Sequence, residues 1–131
     1  MSKLNPSKII FACRSEARAL EAMGKIGGTN LEYIPLDLND LNSVKQFAAT
    51  FNSKYDKLDI LLNNAGIMAL PKRETTAQGL EKQIGVNHFG HFLLTKLLLD
   101  KLKASPEGRV VNLSSLAHTS GKFDFSDLHW A

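Results

Sequence analysis

The sequence predicts an α/β fold built on a parallel sheet, and three observations predict it. Short aliphatic runs alternate with longer amphipathic stretches along the chain, the pattern of strands joined by helical crossovers. The run Leu58-Asp59-Ile60-Leu61-Leu62 does not alternate with polar residues, as expected of a strand buried on both faces. It then switches abruptly to Asn63-Asn64-Ala65-Gly66, residue types that turn a chain or let a ligand approach its backbone closely. Open α/β sheets bind ligands beyond the carboxyl ends of their strands, which makes this strand end the first candidate site.

Each element can be justified in turn. Lys8 to Cys13 is a short apolar run and the first strand. Ser15 is placed to cap a helix through the strong helix formers Glu16 to Met23, ended by Gly24 and then Gly27-Gly28. Leu31 to Leu36 reads as a second strand, closing at Asp37-Leu38. Asn39 or Asp40 caps a second helix, in which Val44, Phe47, Ala48, Phe51 and Tyr55 fall at helical spacing and predict one core-facing stripe. Leu58 to Leu62 is the third strand, and Ile67 to Thr75, with Pro71 and adjacent charges, reads as a loop. A long helix is predicted from Thr76 to near Lys103, because Leu80, Ile84, Asn87, His91, Leu94 and Leu98 recur at spacings of four and three. Ser105-Pro106-Glu107-Gly108 breaks it, and Arg109 to Leu113 is a fourth strand running into Ser114-Ser115. The tail, Leu116 to Ala131, has no clear period.

Composition narrows the function classes. The 131 residues suit one domain, and 44% hydrophobic with 22% charged residues is ordinary globular usage. The net charge of +3 is spread and interleaved with acids, giving no nucleic-acid footprint. A single cysteine, Cys13, excludes an internal disulfide and suits a reducing compartment. Met1 to Ser7 is too short and polar for a signal peptide, and no apolar run reaches membrane-spanning length. As written, the chain is expected to be soluble and cytoplasmic.

The predicted strand ends gather Arg14, Asp37, Asn64-Ala65-Gly66 and Ser115 on one edge of the sheet. Arg14 follows a strand and precedes a helix start, where a guanidinium suits a phosphate; a solvated surface arginine is the alternative. Asp37 is either a turn former or a ligand contact. Asn87 lies on an otherwise apolar helix face, where a buried amide must find partners. It is either bonded to a neighbouring loop or positions a water or a catalytic group. His88 and His91 lack a carboxylate motif for metal ligation, leaving packing or hydrogen bonding as their role. Ser114 and Ser115 either bind a substrate oxygen or satisfy the strand's last backbone groups. No Gly-x-Ser-x-Gly elbow supports a hydrolase nucleophile.

Together these residues resemble the short-chain dehydrogenase/reductase family. Leu58 to Gly66 matches its Asn-Asn-Ala-Gly motif, Asp37-Leu38 its acidic pair, Asn87 its helix asparagine, and Val110 to Ser115 the strand bearing its catalytic serine. The retinol dehydrogenase-like branch is the closer likeness, through Ala12-Cys13-Arg14, Gly85 to Leu94 and Arg109 to His118. The resemblance implies a doubly wound, Rossmann-like parallel sheet and an NADP-dependent exchange between an alcohol and a carbonyl, with a small lipophilic substrate such as a retinoid. Arg14 would contact the 2′-phosphate of NADP, Asp37 and Leu38 the adenine, and Asn64, Ala65 and Gly66 the ribose side. Ser115 would bond the reacting oxygen, and Asn87 would anchor a relay water. The resemblance leaves open a homo-oligomeric, membrane-associated full-length parent.

This sequence also departs from the family. The first strand and its glycine-rich turn should precede Lys8, where only seven residues stand, and Gly24, Gly27 and Gly28 follow a helix instead. The family's tyrosine and its lysine four residues on would fall beyond Ala131, and Tyr33 and Tyr55 have no such lysine. The expectation is an incomplete, single Rossmann-like domain over residues 1–131, inactive alone. Two strand pairs should flank the place of the missing strand, either closing up or taking a strand from elsewhere. The alternative function is a non-catalytic relative that binds a partner through that open edge.

Overall fold

The computed structural model describes residues 6–122 and 124–127. Parts of the two terminal stretches discussed above, residues 1–5, 123 and 128–131, therefore lie outside the described residues. The chain divides into two compact units at Asp37 and Leu38.

In the first unit, strand β1 (Ile9–Cys13) and strand β2 (Leu31–Pro35) flank helix α1 (Glu16–Ile26). The strands pair in parallel from Ile9 opposite Leu31 to Cys13 opposite Pro35. Ser15 caps α1 as expected, its side chain accepting from the Arg18 N–H. The helix passes through Gly24 and stops at Gly27, whose N–H still bonds the Met23 carbonyl and whose φ of 71° then turns the chain out of the helix. Ala19, Ile34 and Leu36 are buried.

The second unit opens with helix α2 (Leu41–Lys54), capped by Asp40. Val44, Phe47, Ala48 and Phe51 are its buried residues, four of the five in the stripe that the spacing predicts, while Tyr55 is the half-buried C-cap. Strands β3 (Ile60–Asn63) and β4 (Arg109–Asn112) pair in parallel, Ile60 opposite Arg109. Their start is pinned by Asp59, which accepts from the Arg109 N–H on its carbonyl and from Ser105 Oγ at 2.6 Å on its carboxylate. Between the strands run α3 (Lys82–Ile84), a π-helical stretch (Gly85–Gly90), α4 (His91–Leu97) and α5 (Leu99–Lys103). Asn52 of α2 donates to the Leu97 carbonyl, tying α2 to α4. Leu98 and Val44 are the most deeply buried large side chains; truncating Leu98 to alanine would cost about 2–5 kcal/mol.

Three expectations are corrected. The long helix begins at Lys82, not Thr76: Thr76 Oγ1 accepts from the backbone N–H groups of Gln78 and Leu80, and Gly79 takes φ of 80°, so residues 76–79 form a turn. Nor is the helix uniform, since the π-helical stretch and a break at Leu98 interrupt it. Strand β3 is not buried on both faces: Leu61 and Asn63 are buried, while Ile60 and Leu62 are 42% and 45% exposed. Helix α4 covers the Asn63 side through Thr95, and among the described residues the opposite side keeps large apolar groups in solvent. The described strands form two separate two-stranded sheets, β1–β2 and β3–β4, rather than closing into one.

Candidate functional site

The carboxyl end of β3 is where the second unit concentrates its polar contacts. Asn63, the last strand residue, is buried, and its amide donates to Asn112 Oδ1 at 2.8 Å and Thr95 Oγ1 at 3.1 Å. One side chain thus joins β3, β4 and α4. The next three residues, Asn64, Ala65 and Gly66, are exposed. The Ala65 carbonyl lies 2.9 Å from His91 Nε2, and His91 Nδ1 lies 3.1 Å from Asn63 Oδ1.

Asn87 meets the same turn from the π-helical stretch. Its Oδ1 accepts from the Ile67 N–H at 2.8 Å and its Nδ2 donates to the Ile67 carbonyl at 2.7 Å. A Cβ added to Gly66 would sit 3.4 Å from Asn87 Oδ1, at the edge of ordinary van der Waals contact. Of the two readings of Asn87, the bond to a neighbouring loop is realised, but on an exposed residue rather than a buried one. The reason is the π-helical stretch, whose extra residue per turn shifts the buried positions to Gly85, Val86, Gly90 and His91. Asn87 keeps one N–H and one lone pair for a further partner.

The other predicted residues are placed as follows. Arg14, exposed just past β1, and Asp37, half-buried after β2, belong to the first unit. Leu38 is buried at the head of the second unit, against Gly90: a Cβ there would lie 2.9 Å from the Leu38 carbonyl oxygen. Ser115 is exposed after β4 and caps a 3-10 turn (Leu116–Thr119), its side chain accepting from the Ala117 N–H. The second unit therefore brings Asn64, Ala65 and Gly66 together with Asn87. Among the described residues, Ser115 bonds within its own turn, to Ala117 and His118. Beside Asn87 opens a cavity of about 570 Å³, lined by Leu70, Glu81, Gln83, His88, Lys122 and Asp124 among others. Among the described residues no cluster of His, Cys, Asp and Glu could hold a metal, and no helix is long and apolar enough to cross a membrane.

Sequence reasoning placed His91 on the core face but missed its bond to the strand-end turn. The available signal was a histidine in an apolar stripe one helical turn from Asn87, facing a strand that ends in asparagines.

The short chain dehydrogenase family model matches residues 3–126. The chain belongs to the short-chain dehydrogenase family. It is 51% identical over 126 residues to human (Homo sapiens) retinol dehydrogenase 13, covering 93% of this chain and 38% of that protein. An uncharacterized protein of Mycobacterium Paratuberculosis superposes with a TM-score of 0.78 at 42% identity, over 94% of this chain and 42% of that one. NADPH-bound carbonyl reductase from chicken fatty liver superposes with a TM-score of 0.67 at 26% identity, over 86% of this chain and 50% of that one. The chain thus spans well under half the length of its retinol dehydrogenase relative. The likeness to the solved Mycobacterium Paratuberculosis structure gives the chain a Rossmann-like α/β fold.

Proposed function

We propose that this chain carries part of the cofactor site and part of the catalytic set of an NADP-dependent oxidoreductase that interconverts an alcohol and a carbonyl. The observation that carries the reading is the exposed Asn64-Ala65-Gly66 turn at the carboxyl end of a strand, held through Ala65 by His91 and through Ile67 by Asn87. Rigid, exposed backbone at such a strand end is where open α/β sheets take ligands. The residues fit the cofactor: Gly66 has no side chain to obstruct approach, and Arg14 offers an exposed fork for a 2′-phosphate. Asp37 and Leu38 are assigned to the adenine, and Asn64, Ala65 and Gly66 to the ribose side. NADP, when bound, supplies or receives the hydride.

The chain's own residues orient and handle protons. Ser115 Oγ donates a hydrogen bond to the oxygen on the carbon that is oxidised or reduced, and it can do so while still accepting from the Ala117 N–H. Asn87 uses its remaining N–H and lone pair to hold a water. Retinol dehydrogenase 13 as a relative supports a lipophilic alcohol or aldehyde as substrate. No tyrosine with a lysine four residues later stands in the sequence, and the chain alone is expected to show negligible turnover. The test is titration of NADP into the isotope-labelled chain, followed by backbone amide signals, alongside an assay for NADPH-dependent reduction of retinal. Shifts concentrated at Arg14, Asn64, Ala65 and Gly66 without turnover support the reading. Unmoved signals there reject the cofactor assignment, and robust turnover rejects the expected inactivity.

One observation favours a second reading, a non-catalytic binding module. Ile60 and Leu62 of β3, Val111 beside Leu62 on β4, and Leu113 just past β4 leave much of their apolar surface exposed, a common mark of an interaction face.

A further inference from the structure

We infer that His91 is a positioning residue, whose imidazole sets the conformation of the Asn64-Ala65-Gly66 turn by donating from Nε2 to the Ala65 carbonyl. The inference rests on the proposed reading only where it bears on cofactor affinity. A backbone carbonyl can only accept, and so can the Asn63 amide oxygen that faces Nδ1 at 3.1 Å, so the neutral ring can donate to one of them; the shorter contact, 2.9 Å to Ala65, is the one to which we assign the proton, on Nε2. The ring has little freedom to make any other contact. His91 is buried, and its Nδ1 meets Asn63 Oδ1 at 3.1 Å. The Asn63 amide donates to Thr95 Oγ1, which donates back to the His91 carbonyl at 2.8 Å. This closed circuit of side chains fixes the imidazole against α4 while Asn112 anchors the same Asn63 amide to β4.

The consequence is a turn clamped from two successive helical turns. His91 holds the carbonyl of Ala65, and Asn87, four residues earlier, holds both backbone groups of Ile67. Gly66 lies between the two clamps and has no Cβ to restrain it. A leucine in place of His91 fills similar space but leaves the Ala65 carbonyl short of its donor. A glutamine can still donate to Ala65 through its amide.

The experiment uses the full chain and three forms of it: wild type, His91→Leu and His91→Gln. Nitrogen-15 correlation through the imidazole is expected to show Nε2 protonated in the wild type; a ring protonated at Nδ1 alone overturns the inference. In His91→Leu, amide exchange at Gly66 and Ile67 is expected to quicken about tenfold, the loss of roughly one hydrogen bond. The α2 amides of Phe47 and Phe51 should keep their wild-type rates, and His91→Gln should restore most of the protection. Equal quickening throughout the second unit, or no change at Gly66 and Ile67, overturns the positioning role. NADP is then titrated into each form. Weaker binding in His91→Leu, recovered in His91→Gln, supports the functional consequence. A wild type that binds no NADP rejects the cofactor reading, while the exchange and tautomer results still decide the positioning role.

Discussion

Asp40 shows how much a single side chain can do at a helix start. Its carboxylate accepts from Gln78 Nε2 at 2.7 Å and from the Asn42 N–H at 2.9 Å, so it caps α2 and ties down the turn before α3. The Gln78 bond first, then the Asn42 N–H, hold its carboxyl below the usual aspartate range, and partial burial opposes them more weakly. A carboxyl whose pKa is depressed in the folded state binds protons more readily when unfolded. Its contribution is therefore present above the unfolded value, about 3.9, and is lost as pH falls through the lower folded value. The urea midpoint of the chain is expected to drop as the pH is lowered below about 4. Asp40→Asn, which keeps the cap but not the charge, should flatten part of that decline. An identical pH profile in the variant would show that Asp40 contributes nothing to it. His91 matters for where its N–H points, which is why periodicity placed it on a face without revealing its partner.

At the level of elements, legibility followed the physical cause of each structure. The α2 stripe of Val44, Phe47, Ala48 and Phe51 was readable because a regular helix repeats its buried face every 3.6 residues. The π-helical stretch was not, because spacings of four and three through Leu80, Ile84, Asn87 and His91 fit an unbroken α-helix just as well. The turn at residues 76–79 was hidden in the same way: Thr76 closes it through its own hydroxyl, a local bond that competes with helix. For the candidate site, the Asn63 to Gly66 strand end could be read from composition, whereas the clamps on Ala65 and Ile67 depend on a helix far along the chain. Strand β3 reads as doubly buried because four of the five residues from Leu58 to Leu62 are aliphatic and do not alternate with polar ones, yet whether a face is buried depends on what covers it. Here Ile60 and Leu62 stay open, and a bare apolar sheet face with an unpaired edge invites association. Leu62→Lys is accordingly expected to change stability by no more than about 0.5 kcal/mol, as exposed substitutions do. It should also reduce concentration-dependent self-association measured by sedimentation velocity. A fall in the denaturation midpoint well beyond that limit would mean the face is covered in solution.

For the molecule as a whole, unequal burial sets the order in which its two units open. The first contributes Ala19, Ile34 and Leu36 to the buried apolar set, while the second contributes residues from Leu38 and Val44 through Leu98 and Leu102. A pair of strands with one helix is marginal by itself, and regions with few buried apolar side chains open at low free energy. The amides of Ile9 and Leu36, which bond Asn30 and Cys13 across the first sheet, should exchange faster than those of Leu98 and Leu102 in the second unit. The cofactor proposal turns this inequality into a test of Arg14 and Asp37. A ligand that binds only the native form stabilises it by RT ln(1 + [L]/Kd), about 2.7 kcal/mol at a hundredfold excess over Kd. NADP at that excess is therefore expected to slow exchange at Ile9 and Leu36 by up to about a hundredfold. NAD at equal concentration should slow it less, because Arg14 then has no 2′-phosphate to hold. If NADP shifts the signals of Ala65 and Gly66 but leaves Ile9 and Leu36 exchanging at their free rates, the cofactor is held by the second unit alone. Arg14 and Asp37 would then be surface residues of a unit that takes no part in binding.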